Sequence, residues 1–188
     1  MAPLTAYLCA PWWRKLGVME WTGQLYADSP AVAVQAYIEA PPERVWALVS
    51  DIYLMPRLSA ELREVEWLDG ADEPAVGRRF RGRNTHPALG SWETVSTIVA
   101  CDEPREFRWA VGDPGHPSAT WQFNLRPDGR GTLLEQRAQL GPGRSGLNLA
   151  IDAMPENEQK IVFVRMREFE AGFTSNLAAI KELAEGPP

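Results

Sequence analysis

The sequence has few of the groups from which most catalytic centres are built. It contains two histidines and two cysteines in 188 residues. Cys9 and Cys101 lie far apart and form neither a CxxC nor a Cys/His cluster. That excludes a disulfide framework and a structural zinc site, and it fits a reducing compartment, taken here as the cytoplasm. No apolar run approaches the ~20 residues of a membrane span, so stable membrane insertion is not expected. There is no phosphate-cradling glycine loop and no serine or cysteine nucleophile in a local motif. Basic residues are also outnumbered, 19 Lys and Arg against 25 Asp and Glu, for a formal charge of −6. This deficit argues against nucleic acid as a partner and gives no attraction to anionic lipid.

What the chain does have is indole. Eight tryptophans in a 45% hydrophobic sequence of single-domain length point to a substantial aromatic core. The stretch "MAPLTAYLCAPWWRKLGV" places its basic residues, Arg14 and Lys15, after the apolar part, the wrong order for a secretory signal. Residues 1–30 are therefore read as an extension with loose order, and residues 31–188 as one domain. Met19 is a second plausible start, and a membrane-surface contact by Trp12 and Trp13 is the weaker alternative.

The domain opens with "AVAVQAYIEA", whose alternation predicts a half-buried strand. Pro41 and Pro42 end it and open a short helix, "ERVWALVSD". "IYLMPRLS" predicts a second short helix stopping around Pro56. Six strand patterns follow, at 62–70, 76–84, 91–100, 105–111, 119–125 and 132–140, separated by short turn segments that imply consecutive antiparallel hairpins. The chain ends in a long helix from about Glu156 to Glu185. Val162, Met166, Phe169, Phe173, Leu177, Ile180 and Ala184 form its apolar stripe. Two small helices after the first strand would let the chain cross, so that the first and last strands pair.

The order of these elements, with the segments "APPERVWALVSDIYLMPRLS", "EVEWLDG", "VGRRFRGRN", "WETVSTI", "EPREFRWAV", "ATWQFNL" and "GRGTLLE", resembles the START-like (SRPBCC) superfamily. Within it, the chain is similar to the polyketide cyclase/dehydrase and lipid-transport group, over roughly residues 32–184. The resemblance implies an α+β helix-grip fold, a seven-stranded curved antiparallel sheet around the C-terminal helix with a cavity between. It also implies binding of lipids, polyketides or other apolar molecules, with a minority of cyclases, aromatases and hydrolases. Fold does not choose among these.

Strand parity then assigns the inner face. With Arg79, Arg81 and Arg83 outward, Phe80, Gly82 and Asn84 point in. Trp92, Thr94, Ser96 and Ile98 follow on the next strand, then Phe107, Trp109 and Val111, then Trp121 and Phe123, and finally Gln136. Aromatic walls with a few neutral polar anchors (Asn84, Thr94, Ser96, Gln136) are the composition of an apolar ligand site. The alternative is that the indoles fill a solid core. On the helix, Arg165, Phe169, Gly172, Phe173 and Asn176 border the same space. Gly172 stands out, because glycine inside a helix costs ~1 kcal/mol against alanine; close packing on the sheet is the competing explanation.

The two histidines, His86 and His116, sit in hairpin loops expected at one rim, and Asp113 continues the inward parity of its strand. The three are the candidate general acid/base groups. No metal and no cofactor are expected. Three functions remain open: a binding or transport protein for an apolar small molecule (lipid, quinone or polyketide-like), a cofactor-independent cyclase, aromatase or dehydratase, and a protein-interaction module with a filled core.

Overall fold

The computed structural model describes residues 21–187. Seven strands form one antiparallel sheet: β1 (Ala31–Ile38), β2 (Leu62–Trp67), β3 (Arg79–His86), β4 (Gly90–Asp102), β5 (Glu106–Val111), β6 (Ala119–Asp128) and β7 (Gly131–Leu140). Their order across the sheet is β1-β7-β6-β5-β4-β3-β2. Helices α1 (Pro42–Val49) and α2 (Met55–Leu58) join β1 to β2, while α3 (Leu147–Ala153) and α4 (Glu158–Glu185) follow β7. The architecture is the helix-grip fold.

The topology explains the two small helices. Strands β2 to β7 form a meander in which each pairs with the next, but β1 and β2 occupy opposite edges. The chain must therefore cross the full width of the sheet between them. It does so as helix, which satisfies its own backbone hydrogen bonds on the apolar inner face. Val45, Trp46 and Val49 of α1 point into the core. Pro42 lies in the first turn of α1, as expected from its missing N–H. Pro56 also lies in the first turn of α2, so it begins that helix; the expectation that a helix would stop there is corrected. On the far side, β1 returns to β7 in register, with Val34 opposite Gln136 and Ile38 opposite Thr132.

The outward arginines of β3 are charge-paired. Arg79 meets Asp69, Arg81 meets Glu66, and Arg83 meets Glu64 and Glu93. On the inner face all seven residues of the α4 stripe are buried. They divide between two apolar clusters. Ile180 and Leu177 join α1, Phe80, Phe107, Trp109 and Phe123. Val162, Met166, Phe169 and Phe173 join α3, Ala138 and Tyr26.

Two elements depart from expectation. The link before the long helix contains α3 and a 3-10 turn, Pro155–Asn157, so α4 starts at Glu158. Before β1, a 3-10 turn at Tyr26–Asp28 is docked. Tyr26 is buried, its hydroxyl donates to the carbonyls of Gly143 (2.8 Å) and Ser118 (3.1 Å), and its amide donates to Glu158 at 2.9 Å. Trp21 packs on Phe163 with ring centres 5.0 Å apart. The expectations for Trp12, Trp13 and Met19 fall outside the described residues.

Candidate ligand site

The inner face of the sheet carries a connected series of rings. Phe80 packs edge-on to Trp109, and Trp109 lies opposite Trp121 in the β5–β6 register, the indoles parallel within 8° at 6.5 Å. Trp121 then meets Phe169 (5.0 Å) and Phe173 (5.7 Å) of α4, both edge-on. Cross-strand pairing puts the two indoles side by side, and the 169/173 spacing on the helix stacks the two phenylalanines on each other and against Trp121. Phe80, Trp109, Phe123, Phe169 and Phe173 are buried. Trp121 is half-buried and touches both apolar clusters, so it stands at the seam between them.

On α4, one residue before Phe173, the helix carries a glycine with free space around it. Gly172 is half-buried, and a Cβ built on it would meet no atom within 4 Å outside the helix's own backbone and the two neighbouring residues. Close packing on the sheet therefore does not account for this glycine. Asn176, one turn on, lies 3.3 Å from the Gln136 amide; in the orientation that satisfies its neighbours it donates to the carbonyls of Leu58 (2.7 Å) and Gly172 (3.1 Å). Across on the sheet, Asn84, Trp92 and Thr94 are half-buried, with Asn84 opposite Trp92 and Gly82 opposite Thr94. Asn84 reaches the Thr94 hydroxyl only at 3.4 Å, a long contact. Ser96 is buried deeper, at 2% exposure. Gly82 has a local reason of its own: a Cβ there would stand 2.9 Å from Leu62 Cδ1, so its absence lets Leu62 fold over the strand.

A charged cluster closes the other end of the helix line. Arg165 is 8% exposed and donates to both carboxylate oxygens of Glu61, at 2.5 and 2.7 Å, and to Glu168 at 2.9 Å. Its guanidinium lies 4.3 Å from the centre of the Phe169 ring, a cation–π contact that links this cluster to the aromatic series. Burial works against the charge, but the Glu61 and Glu168 carboxylates outweigh it and hold the arginine pKa above its ordinary value. His86, at the end of β3, brings Nε2 to 3.5 Å from Glu168, while its Nδ1 accepts the Ala88 N–H at 3.1 Å. A neutral His86 so bonded carries its proton on Nε2, directed at the carboxylate.

Glu61, His86 and Glu168 offer three ligand atoms within 4.8 Å of one another. Their bonding does not suit a metal. Coordination through Nε2 would require the proton on Nδ1, where it would face the Ala88 N–H, and Arg165 already holds both carboxylates. The cluster gathers one imidazole and two carboxylates around a buried guanidinium.

Residues 29–183 match the family model for polyketide cyclase/dehydrase and lipid transport. The chain belongs to that family. Its role is accordingly one of hydrophobic-ligand binding or cyclisation. Among solved structures, the chain is similar to the Polyketide_cyc-like protein Cgl2372 from Corynebacterium glutamicum, at 29% identity and a TM-score of 0.61, covering 84% of this chain and 92% of that one. It also resembles the di-domain ARO/CYC BexL from the BE-7585A biosynthetic pathway, at 16% identity and a TM-score of 0.62, covering 85% of this chain and 51% of that one. TTHA0849 from Thermus thermophilus matches at 21% identity and a TM-score of 0.57, over 82% and 97% of the two chains. The last two likenesses concern the fold. No curated protein matches the chain.

In this cyclase/lipid-transport domain, the three expected acid/base residues are not brought together. His86 joins the Arg165 cluster, whereas Asp113 and His116 are exposed in the β5–β6 turn. There the Asp113 carboxylate accepts the Gly115 N–H (2.9 Å) and its carbonyl accepts the His116 N–H (3.0 Å), the bonding of a turn. Glu61 and Glu168 were not among the expected site residues. Glu168 had an available signal, three residues after Arg165 on the helix. Glu61 had none: it lies between α2 and β2, 104 residues from its partner.

Proposed function

We propose that this chain binds an apolar small molecule (a lipid, quinone or polyketide-like compound) between the inner sheet face and α4. The observation that carries the reading is the unfilled space at Gly172, on the helix between Phe169 and Phe173, the two rings that meet the half-buried Trp121. Trp121, Phe169 and Trp92 would supply apolar area, and Asn84, Thr94, Gln136 and Asn176 a few hydrogen-bond groups, the balance common in small-molecule sites. Arg165, with Glu61 and His86, would border the ligand's polar end.

Cyclase chemistry is the second reading. It is favoured by the His86 Nε2–H and two carboxylates gathered around one buried cation, and by the fold shared with BexL. A histidine and carboxylates at the polar end of an apolar site can transfer protons, and the site can fold a flexible chain by orientation.

Native mass spectrometry of the purified chain, with saturable quenching of tryptophan fluorescence by a fatty acid, a naphthoquinone and a polyphenol, tests the binding reading. One bound molecule per chain, lost in Gly172→Phe with the fold retained, is expected. Absence of a bound mass and of saturable quenching by all three would reject it in favour of a filled core. Conversion of a poly-β-ketone to a cyclic product, lost in His86→Ala with binding unchanged, would establish the second reading.

A further inference from the structure

The convex face of the sheet carries a separate feature. Arg108 of β5, Gln122 of β6 and Arg137 of β7 lie in one cross-strand row. The next row holds Ala110, Thr120 and Gln139. A hollow of about 290 Å³ lies over these two rows; its lining includes both arginines and no acidic residue. Strand parity turns this face away from Trp109 and Trp121, so the hollow is independent of the ligand site.

Neither guanidinium is held by a hydrogen-bonded carboxylate among the described residues. The nearest carboxylates of the row below, Glu106 and Glu135, are engaged by amides: Gln122 donates to Glu106 (2.9 Å), while Asn124 and Gln35 donate to Glu135 (2.9 and 2.7 Å). Arg108 Nε has no hydrogen-bond partner although the atom is buried, and stands 3.4 Å from Glu106. Arg137 is exposed and has no ion-pair partner among the described residues. The arginines of β3 on the same face donate short hydrogen bonds of 2.7 Å to their carboxylates, whereas Arg108 meets Glu106 only as a 3.4 Å ion pair without hydrogen-bond geometry. Two strand spacings separate Arg108 from Arg137, about 10 Å at the backbone, so their long side chains can converge on one group above Gln122.

We propose that this hollow is a binding site for a phosphate-type oxyanion. Arg108 and Arg137 clasp it from two sides, and the Thr120 hydroxyl and the Gln139 amide provide further donors. A multivalent tetrahedral anion uses more of these donors than a planar carboxylate can. The chemistry is common to a soluble phosphate ester and to the phosphate of a lipid headgroup, and the two sources are separable by experiment.

Calorimetric titration of the full chain with inorganic pyrophosphate, and flotation with phosphatidylcholine vesicles with and without phosphatidic acid, form the test. Saturable binding of one or both probes, weakened about tenfold by Arg137→Gln and by Arg108→Gln, is expected, since each charge-assisted contact contributes about one decade of affinity. Pyrophosphate binding without flotation assigns a soluble ligand; arginine-dependent flotation assigns a lipid headgroup. Circular dichroism and quenching by the apolar probes should be unchanged in both variants. No saturable binding of either probe at millimolar concentration, or binding equal in wild type and both variants, overturns the proposal.

Discussion

Arg165 and Glu61 join α4 to the start of β2 through two parallel hydrogen bonds, 2.5 and 2.7 Å long, across 104 residues of sequence. The bidentate geometry fixes both side chains, and the arginine side chain is only 9% exposed. Replacing the cation alone leaves Glu61 and Glu168 facing each other with no compensating charge. Arg165→Met is therefore expected to cost about 3 kcal/mol, whereas Glu61→Gln, which keeps a hydrogen-bond acceptor and leaves Glu168 in place, costs about 1 kcal/mol. Urea unfolding measures both. The double variant should be more stable than Arg165→Met alone, because it removes one of the opposed carboxylates; strict additivity would show that the three groups do not act together.

The β1–β7 junction makes a sharper steric demand. Gly131 opens β7 directly against β1, and a Cβ there would collide with the Ile38 carbonyl oxygen and crowd the Tyr37 ring. The obstacle is main chain in a paired strand, which cannot turn aside as a flexible side chain can. Gly131→Ala should therefore destabilise by about 3 kcal/mol, at the upper end of ordinary substitutions. Loss of hydrogen-exchange protection should appear first in β1. A variant as stable as wild type would mean that β1 and β7 stand farther apart than described.

These elements differ in how legible they were. Arg79, Arg81 and Arg83 alternate strictly, so the sequence alone set which face of β3 looks outward, and with it Phe80 and Asn84. The α4 stripe was equally plain, since a 28-residue helix repeats its signal many times. In α3, seven residues give under two turns of periodicity after "GPGRSG", too little to distinguish from loop. The docking of Tyr26 depends on Ser118, Gly143 and Glu158, all distant in sequence. The same holds for Glu61. Parity identifies what faces inward, but it does not identify which loop carboxylate meets a helix arginine after folding.

Acid should loosen the C-terminal end of α4. The Glu185 carboxylate accepts from Lys181 and from the Glu39 amide, each at 2.7 Å, and these bonds hold its pKa below the ordinary glutamate value. A lowered folded-state pKa stabilises above the unfolded value and is lost as pH falls through the folded one. The group is well exposed, so the contribution is small, about 0.5 kcal/mol after solvent screening. Glu185→Gln should be less stable than wild type by that amount at neutral pH, and the gap should close in acid below the glutamate range. A difference that stays constant with pH would assign the effect to something other than this carboxylate's charge.

Gly172 separates folding from function in one position. In an exposed or open helical site, glycine is less favourable than alanine by about 1 kcal/mol, because it leaves the unfolded chain more freedom. Outside the helix's own backbone and the two neighbouring residues, nothing lies within 4 Å of the Cβ that alanine would add. Gly172→Ala should therefore stabilise the chain by about that amount, read as a higher midpoint in urea with an unchanged slope. If the space at Gly172 holds a ligand, bulk there should compete with it: Gly172→Ala would weaken apolar binding slightly, Gly172→Leu more, and Gly172→Phe most. Stability and affinity would then move in opposite directions along the series, as they do where an open site is kept for function. A series in which alanine destabilises shows that the helix is already packed at this point. One in which affinity ignores side-chain size places the ligand elsewhere.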